Sequence, residues 1–280
     1  MKRGSARLLI CLVVLLLNCL IVPRGRTGNQ PSSWPTFRGT PARTGWQPDE
    51  LQLIPPLSLR WSALRGNPSL ADSNIAIEAS PVIADGKVYI ATLRFGRKFQ
   101  SDAAYESAVV CLDLQTGQEL WKRQLGDGAS EGIWSTPAVA GGRVFAATFD
   151  GKVYALDATT GALLWAQQVA PPPPQAYRSM RASPIVVGTR LYIAPYIYRG
   201  TTRLYALDTQ TGTIVTSVPL PGSLYASPAV GQNRLFVLIQ KSDAASSRLE
   251  AYDISSASVL ANVAMQCFIH TRGKRPIFCW

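Results

Sequence analysis

Histidine is nearly missing: His270 is the one copy in 280 residues. A histidine-based metal centre or catalytic triad therefore has almost nothing to be built from. Cysteine is sparse as well, and no two of the five cysteines stand in C-x-x-C spacing, so no metal pattern is formed. Cys111 sits inside an apolar run and reads as a small core hydrophobe. Charged residues make up only 16% against 47% hydrophobic, the balance of a packed protein rather than a disordered one. The net charge is +11, but Lys2, Arg3, Arg7, Arg24 and Arg26 lie before residue 28, and Arg272, Lys274 and Arg275 lie in the tail. No basic stripe with interleaved aromatics remains, so no nucleic acid is expected as a partner.

A membrane-length apolar run is also lacking. Residues 8–22 are apolar except for Asn18, which is short for a span and, behind three basic residues, suits an export segment. Residues 1–27 are expected to be a signal peptide or short N-terminal anchor. The body then lies outside the cytoplasm: periplasmic, cell-surface or secreted, with the N-terminus as the candidate membrane tether. Leu16-Leu17-Asn18-Cys19 resembles a lipoprotein box but departs at Asn18, where a small residue is wanted. Cys19 is the residue that would carry the lipid. Cleavage before Trp34 without lipid, or no cleavage, are the alternatives.

What the chain has is a repeated phrase. It is written most cleanly at Asp157-Ala-Thr-Thr-Gly-Ala-Leu-Leu-Trp165 and recurs at Asp113-Leu-Gln-Thr-Gly-Gln-Glu-Leu-Trp121. A third copy, Asp208-Thr-Gln-Thr-Gly-Thr-Ile-Val-Thr216, has Thr in the Trp position, and a worn copy begins at Asp253. The aspartates are 44, 51 and 45 residues apart. In such a phrase the carboxylate accepts from backbone N–H groups two and three residues on, and Gly supplies a positive φ. Upstream of each copy stands Ser80-Pro81-Val82, Thr136-Pro137-Ala138, Ser183-Pro184-Ile185 or Ser227-Pro228-Ala229. A turn such as Asp85-Gly86 or Gly141-Gly142 follows, then an apolar strand with an aromatic, a strong hairpin signal. Four antiparallel strands in a unit of this length make a propeller blade. The fold class is therefore all-β: a β-propeller of four-stranded antiparallel blades. About four blades are present, the expectation being an incomplete seven- or eight-bladed ring, with a small closed ring as the alternative.

These phrases resemble the pyrroloquinoline-quinone-like (PQQ-like) β-propeller repeat family, shared by quinoprotein dehydrogenases and non-enzymatic envelope propellers. The lead-in Trp34-Pro35-Thr36-Phe37-Arg38-Gly39 also looks like the start of such chains. The resemblance implies that the motif Trp docks on the neighbouring blade. Asp113, Gly117, Trp121, Asp157, Gly161, Trp165, Asp208 and Gly212 are thus structural first. Residues 28–56 are expected as a lead-in segment and 57–264 as the repeats, with the stretch at Leu57 to Trp61 one strand. Residues 265–280 form an atypical tail.

One set of positions looks chemical. Three residues before each opening Pro stand Glu78, Trp134, Arg181 and Tyr225, where blades face the central channel. An acid, a base and stackable rings around one axis suit an anionic, planar ligand. Solvated, freely varying channel-mouth residues are the plainer reading. No catalytic residue and no metal ligand is assigned. The leading expectation is a non-enzymatic scaffold binding protein partners in the cell envelope, without a cofactor. The alternatives are a quinone-dependent dehydrogenase holding pyrroloquinoline quinone with calcium, or a degraded relative of one, and a sugar- or polymer-binding module. Against the dehydrogenase stands the absence of adjacent cysteines and of an acidic metal cluster.

Overall fold

The computed structural model describes residues 35–43, 58–63, 74–95, 106–126, 132–170, 178–197, 202–224, 226–240, 248–254 and 261–268. Residues 1–34, with Cys19, residues 171–177, Tyr225 and residues 269–280 lie outside the described residues.

The described residues form four blades in chain order, all antiparallel. The first contains β1 (Asn74–Ala76), β2 (Val82–Ala84), β3 (Lys87–Phe95), β4 (Glu106–Asp113) and β5 (Glu119–Leu125). The second contains β6 (Ala138–Ala140), β7 (Arg143–Ala147), β8 (Lys152–Asp157) and β9 (Leu163–Gln168). The third contains β10 (Arg178–Ser179), β11 (Ile185–Val187), β12 (Arg190–Ile193), β13 (Tyr196–Ile197), β14 (Thr202–Asp208) and β15 (Ile214–Leu220). The fourth contains β16 (Ser223–Leu224), β17 (Ala229–Gly231), β18 (Arg234–Gln240), β19 (Arg248–Asp253) and β20 (Ala261–Phe268). Together they make an open, partial β-propeller.

The continuous apolar runs follow from burial on both faces of a blade. Val144 and Ala146 pack toward the first blade with Tyr89 and Cys111, while Phe145 and Ala147 pack toward the third with Leu191 and Ile193. Burial pushes the Cys111 thiol up to about 11, so it is an inert apolar group at neutral pH. The first hairpins turn through residues with positive φ at both central positions, Asp85 and Gly86 or Gly141 and Gly142, the type I′ geometry that matches strand twist.

The junction between blades is a repeated lock. In each turn the Asp carboxylate accepts from two backbone N–H groups and a Thr hydroxyl; at Asp157 the donors are Thr159 N–H (2.9 Å), Thr160 N–H (2.8 Å) and Thr160 Oγ1 (2.9 Å). Gly117, Gly161 and Gly212 follow with φ of 71°, 71° and 74°. A Trp from earlier in the chain lies on each glycine. A Cβ built at Gly161 would stand 2.6 Å from Trp121, and one at Gly212 would stand 2.6 Å from Trp165. The indole Nε1 then donates to the carbonyl of the residue after the Asp, Trp121 to Ala158 at 3.2 Å and Trp165 to Thr209 at 3.1 Å. Trp61 does the same on Gly117, donating to Leu114 at 3.0 Å. Residues 58–63 nevertheless join no ladder, unlike the strand expected there, because no sheet stands beside them among the described residues.

The sequence reading passed over one feature of this end of the blades. The first residue of each second strand is basic and lies opposite the motif Asp: Lys87 with Asp113, Arg143 with Asp157, Arg190 with Asp208, Arg234 with Asp253. Arg190 Nη1 reaches Asp208 Oδ2 at 2.8 Å. The carboxyls of Asp113 and Asp157 are held below the ordinary aspartate value, first by the hydrogen bond from the N–H of Thr116 or Thr160. At Asp208 slight burial pushes upward, and the bonds from Gln210 and Thr211 with the Arg190 charge outweigh it.

Two predictions follow from the lock and the turn. Gly161→Ala should destabilise the chain by about 1–3 kcal/mol, from a non-glycine left-handed residue plus the clash with Trp121. In a Trp121→Leu background the clash is gone, so urea denaturation should show the two changes to be less than additive. A depressed folded pKa gives stability that is present above the unfolded aspartate pKa, about 3.9, and lost as pH falls through the lower folded value. The melting temperature should hold between about pH 7 and pH 5 and fall below about pH 4. Asp→Asn at positions 113, 157 and 208 together should flatten that acid limb in thermal melts.

Candidate functional site

The inner strand of each blade carries the Ser/Thr-Pro phrase, and proline has no N–H for a ladder. In the first, third and fourth blades the strand accordingly breaks there. In the first, β1 pairs with the far end of β3 (Asn74 opposite Phe95) and β2 with its near end (Val82 opposite Tyr89), leaving residues 77–81 unpaired between them. The third blade repeats this with β10 on β13 and β11 on β12, and the fourth with β16 and β17 on β18.

The backbone groups freed by the breaks are satisfied from two directions. Hydroxyls of the next blade take the N–H groups: Ser80 N–H donates to Thr136 Oγ1 (3.0 Å), Thr136 N–H to Ser183 Oγ (3.1 Å), and Ser183 N–H to Ser227 Oγ (3.0 Å). This chain explains why a hydroxyl residue precedes the proline in every repeat. Residues 35–43 of the lead-in cross the second, third and fourth blades as a strap, whose backbone carbonyls accept from blade N–H groups and whose Arg43 takes blade carbonyls. Val139 N–H donates to Pro35 O (2.7 Å) and Val230 N–H to Pro41 O (2.9 Å).

Arg43 ties the strap down. It is only 8% exposed, and Nε donates to Pro228 O at 2.9 Å. Its Nη1 holds the strap's own Thr36 Oγ1 (3.0 Å) and Phe37 O (2.7 Å), and Nη2 lies 3.5 and 3.4 Å from the carbonyls of Ser183 and Pro184. Burial lowers its pKa to about 10, so it remains a cation at neutral pH. Arg38 and Arg43 both adopt left-handed backbone, φ 59° and 58°, and their guanidinium carbons lie 5.8 and 5.4 Å from the Phe37 ring centroid.

Between the strap and the inner strands is a cavity of about 560 Å³, within the range of ligand sites. Three of the four positions singled out in the sequence meet there: Glu78, Trp134 and Arg181 all line it, with Phe37, Arg38 and Arg43 on the strap side. Tyr225, the fourth, is outside the described residues. The Arg181 guanidinium carbon lies 4.6 Å from the Trp134 ring centroid, a cation–π contact, and Trp134 leans on Phe149 at 6.2 Å. The motif residues Asp113, Gly117, Trp121, Asp157, Gly161, Trp165, Asp208 and Gly212 are at the blade junctions and do not line the cup. The strap arginines escaped the sequence reading because Arg38 and Arg43 stand outside any repeat and have no equivalent to align with. Their signal was an ordered Trp-Pro-x-Phe-Arg lead-in that spends aromatics where a linker would not.

Fold and site define a β-propeller whose blades are locked by Trp on Gly-turns and whose inner strands are crossed by an N-terminal strap. A family model described as outer membrane protein assembly factor BamB matches residues 58–195. The repeats are similar to those of the PQQ-like β-propeller family. The quinohemoprotein alcohol dehydrogenase ADH IIB of Pseudomonas putida is 30% identical over 153 residues, 49% of this chain and 20% of that protein. The outer membrane protein assembly factor BamB of Legionella pneumophila is 29% identical over 217 residues, 62% of this chain and 50% of that protein. The chain thus spans half the length of the second relative and a fifth of the first. Among solved structures, the quinohemoprotein alcohol dehydrogenase of Comamonas testosteroni has the same fold over 85% of this chain and 42% of its own, with TM-score 0.58 and 16% identity.

Arg43→Gln should cost about 1.5–3 kcal/mol in thermal or urea unfolding, since carbonyls of two blades lose a charged donor. Limited proteolysis should then cut first within residues 35–43, and Arg38→Gln, on an exposed side chain, should leave the digestion pattern unchanged.

Proposed function

We propose that this chain is an exported, non-enzymatic propeller scaffold that binds protein partners in the cell envelope. The observation that carries the reading is how its chemically capable side chains are used. The motif aspartates accept hydrogen bonds within their own turns, the motif tryptophans lock blades, and Arg43 fastens a strap across the inner strands. What remains among the described residues is a framework with the cup and a rim. On the rim, matching positions of the outer strands expose Leu120, Leu164 and Val215 at 48%, 44% and 37%, apolar side chains available to a partner. The similarity to an assembly factor over half of that protein's length, and the export segment read in residues 1–27, support the same reading.

The dehydrogenase relatives favour a second reading, in which the cup holds pyrroloquinoline quinone with calcium. The donor set does not fit it. Calcium takes six to eight oxygen ligands, whereas among the described residues Glu78 is the one carboxylate lining the cup and no group of three or more His, Cys, Asp or Glu could hold a metal.

Photo-crosslinking from positions 120, 164 and 215 of the full chain, expressed with its N-terminal segment in a Gram-negative host, tests the scaffold reading. Discrete adducts with envelope proteins are expected, and purified chain given quinone, calcium and an electron-accepting dye should not oxidise primary alcohols. Alcohol oxidation without adducts would overturn the proposal in favour of the dehydrogenase.

A further inference from the structure

We propose that the cup between the strap and the inner strands receives a carboxylate carried on an acidic peptide segment, held by Arg38 and Arg181. This rests on the scaffold reading above and names the chemistry of a partner. Among the described residues three arginines line the cup and one acid, Glu78, opposes them, so the local field favours an anion. Arg43 is spent on backbone carbonyls and contributes charge rather than contacts. Arg181 is steered by the Trp134 ring beneath it, and Arg38, exposed at the cup's edge, flanks Phe37. The two guanidinium groups thus rest on aromatic faces, which suits them to charge-assisted bonds with a carboxylate. Arg38 holds this place through a left-handed backbone at φ 59°, a conformation that costs a non-glycine residue and concentrates at ligand sites. Among the described residues the fourth blade lines the cup with small side chains, Ala226, Ser227 and Ala229, and Phe37 and Trp134 offer apolar contacts beside the charge.

The test is titration calorimetry on the full chain at low salt, with acetyl-hexaglutamate amide as probe and acetyl-hexaglutamine amide and glutarate as comparators. Hexaglutamate should bind and hexaglutamine should not. Arg181→Gln and Arg38→Gln should each weaken hexaglutamate about tenfold, the loss of one charged hydrogen bond. Glu78→Gln should tighten it severalfold, a gain that misfolding cannot imitate. Arg123→Gln removes an equal charge from the outer strand β5 and should leave affinity within about twofold, which separates the cup from general attraction to a basic protein. No binding, or affinity indifferent to positions 78 and 181, would overturn the proposal. Glutarate binding as tightly as the peptide through the same residues would also overturn it, assigning the cup to small dicarboxylates. Envelope adducts that persist in an Arg38→Gln/Arg181→Gln chain would sink the cup alone, whereas absence of adducts in the unmodified chain strikes at the scaffold reading.

Discussion

A flat indole on a glycine is the contact on which the propeller is assembled. Each blade alone is a four-stranded sheet with two apolar faces, and neither face can be left in water. Stacking buries them, but apolar stacking is non-directional and would tolerate sliding. The Trp removes that freedom: its ring fits only where no Cβ stands, and its Nε1 finds one carbonyl. The glycine is therefore fixed twice, by the left-handed turn and by the ring above it. The motif Asp completes the arrangement by holding the turn in the shape that presents the glycine.

The channel side obeys a different constraint. Proline opens the inner strand, and an opened strand inside a protein must find other partners for its polar groups. Hydroxyls from the next blade take the N–H groups, and the strap with Arg43 takes carbonyls of the third and fourth blades. Glu78, Trp134 and Arg181, each three residues before the opening proline, line one cavity though they lie in three different blades.

Much of this was legible in the sequence. Repetition gave the blades, since the Asp-x-x-Thr-Gly phrase and the Ser/Thr-Pro phrase return in register. It also exposed Glu78, Trp134 and Arg181 as positions that break the pattern. The strap was not legible, because a segment used once has nothing to be compared with and its hydrogen bonds join residues far apart in the chain, 185 apart for Arg43 and Pro228. The row of Lys87, Arg143, Arg190 and Arg234 was legible and passed over. Each stands one step beyond the hairpin turn, and only strand register reveals the Asp across from it.

The locks also have a direction. In every one, the Trp stands earlier in the chain than the glycine it covers. A ribosome therefore makes each ring before the turn it will cover. A newly emerged blade meets a finished neighbour that already displays the Trp, so the sheet is captured as it is completed instead of waiting for a later piece. At the third junction Thr216 replaces the Trp, and the sequence in turn has Ala257 where the glycine would be. Capture there falls to apolar contacts among residues such as Tyr192, Leu204, Val237 and Tyr252. The order of synthesis is thus written into the order of knob and socket, and the fourth blade docks without a Trp, through apolar burial together with the Ser183–Ser227 bond and the Arg43 bridge.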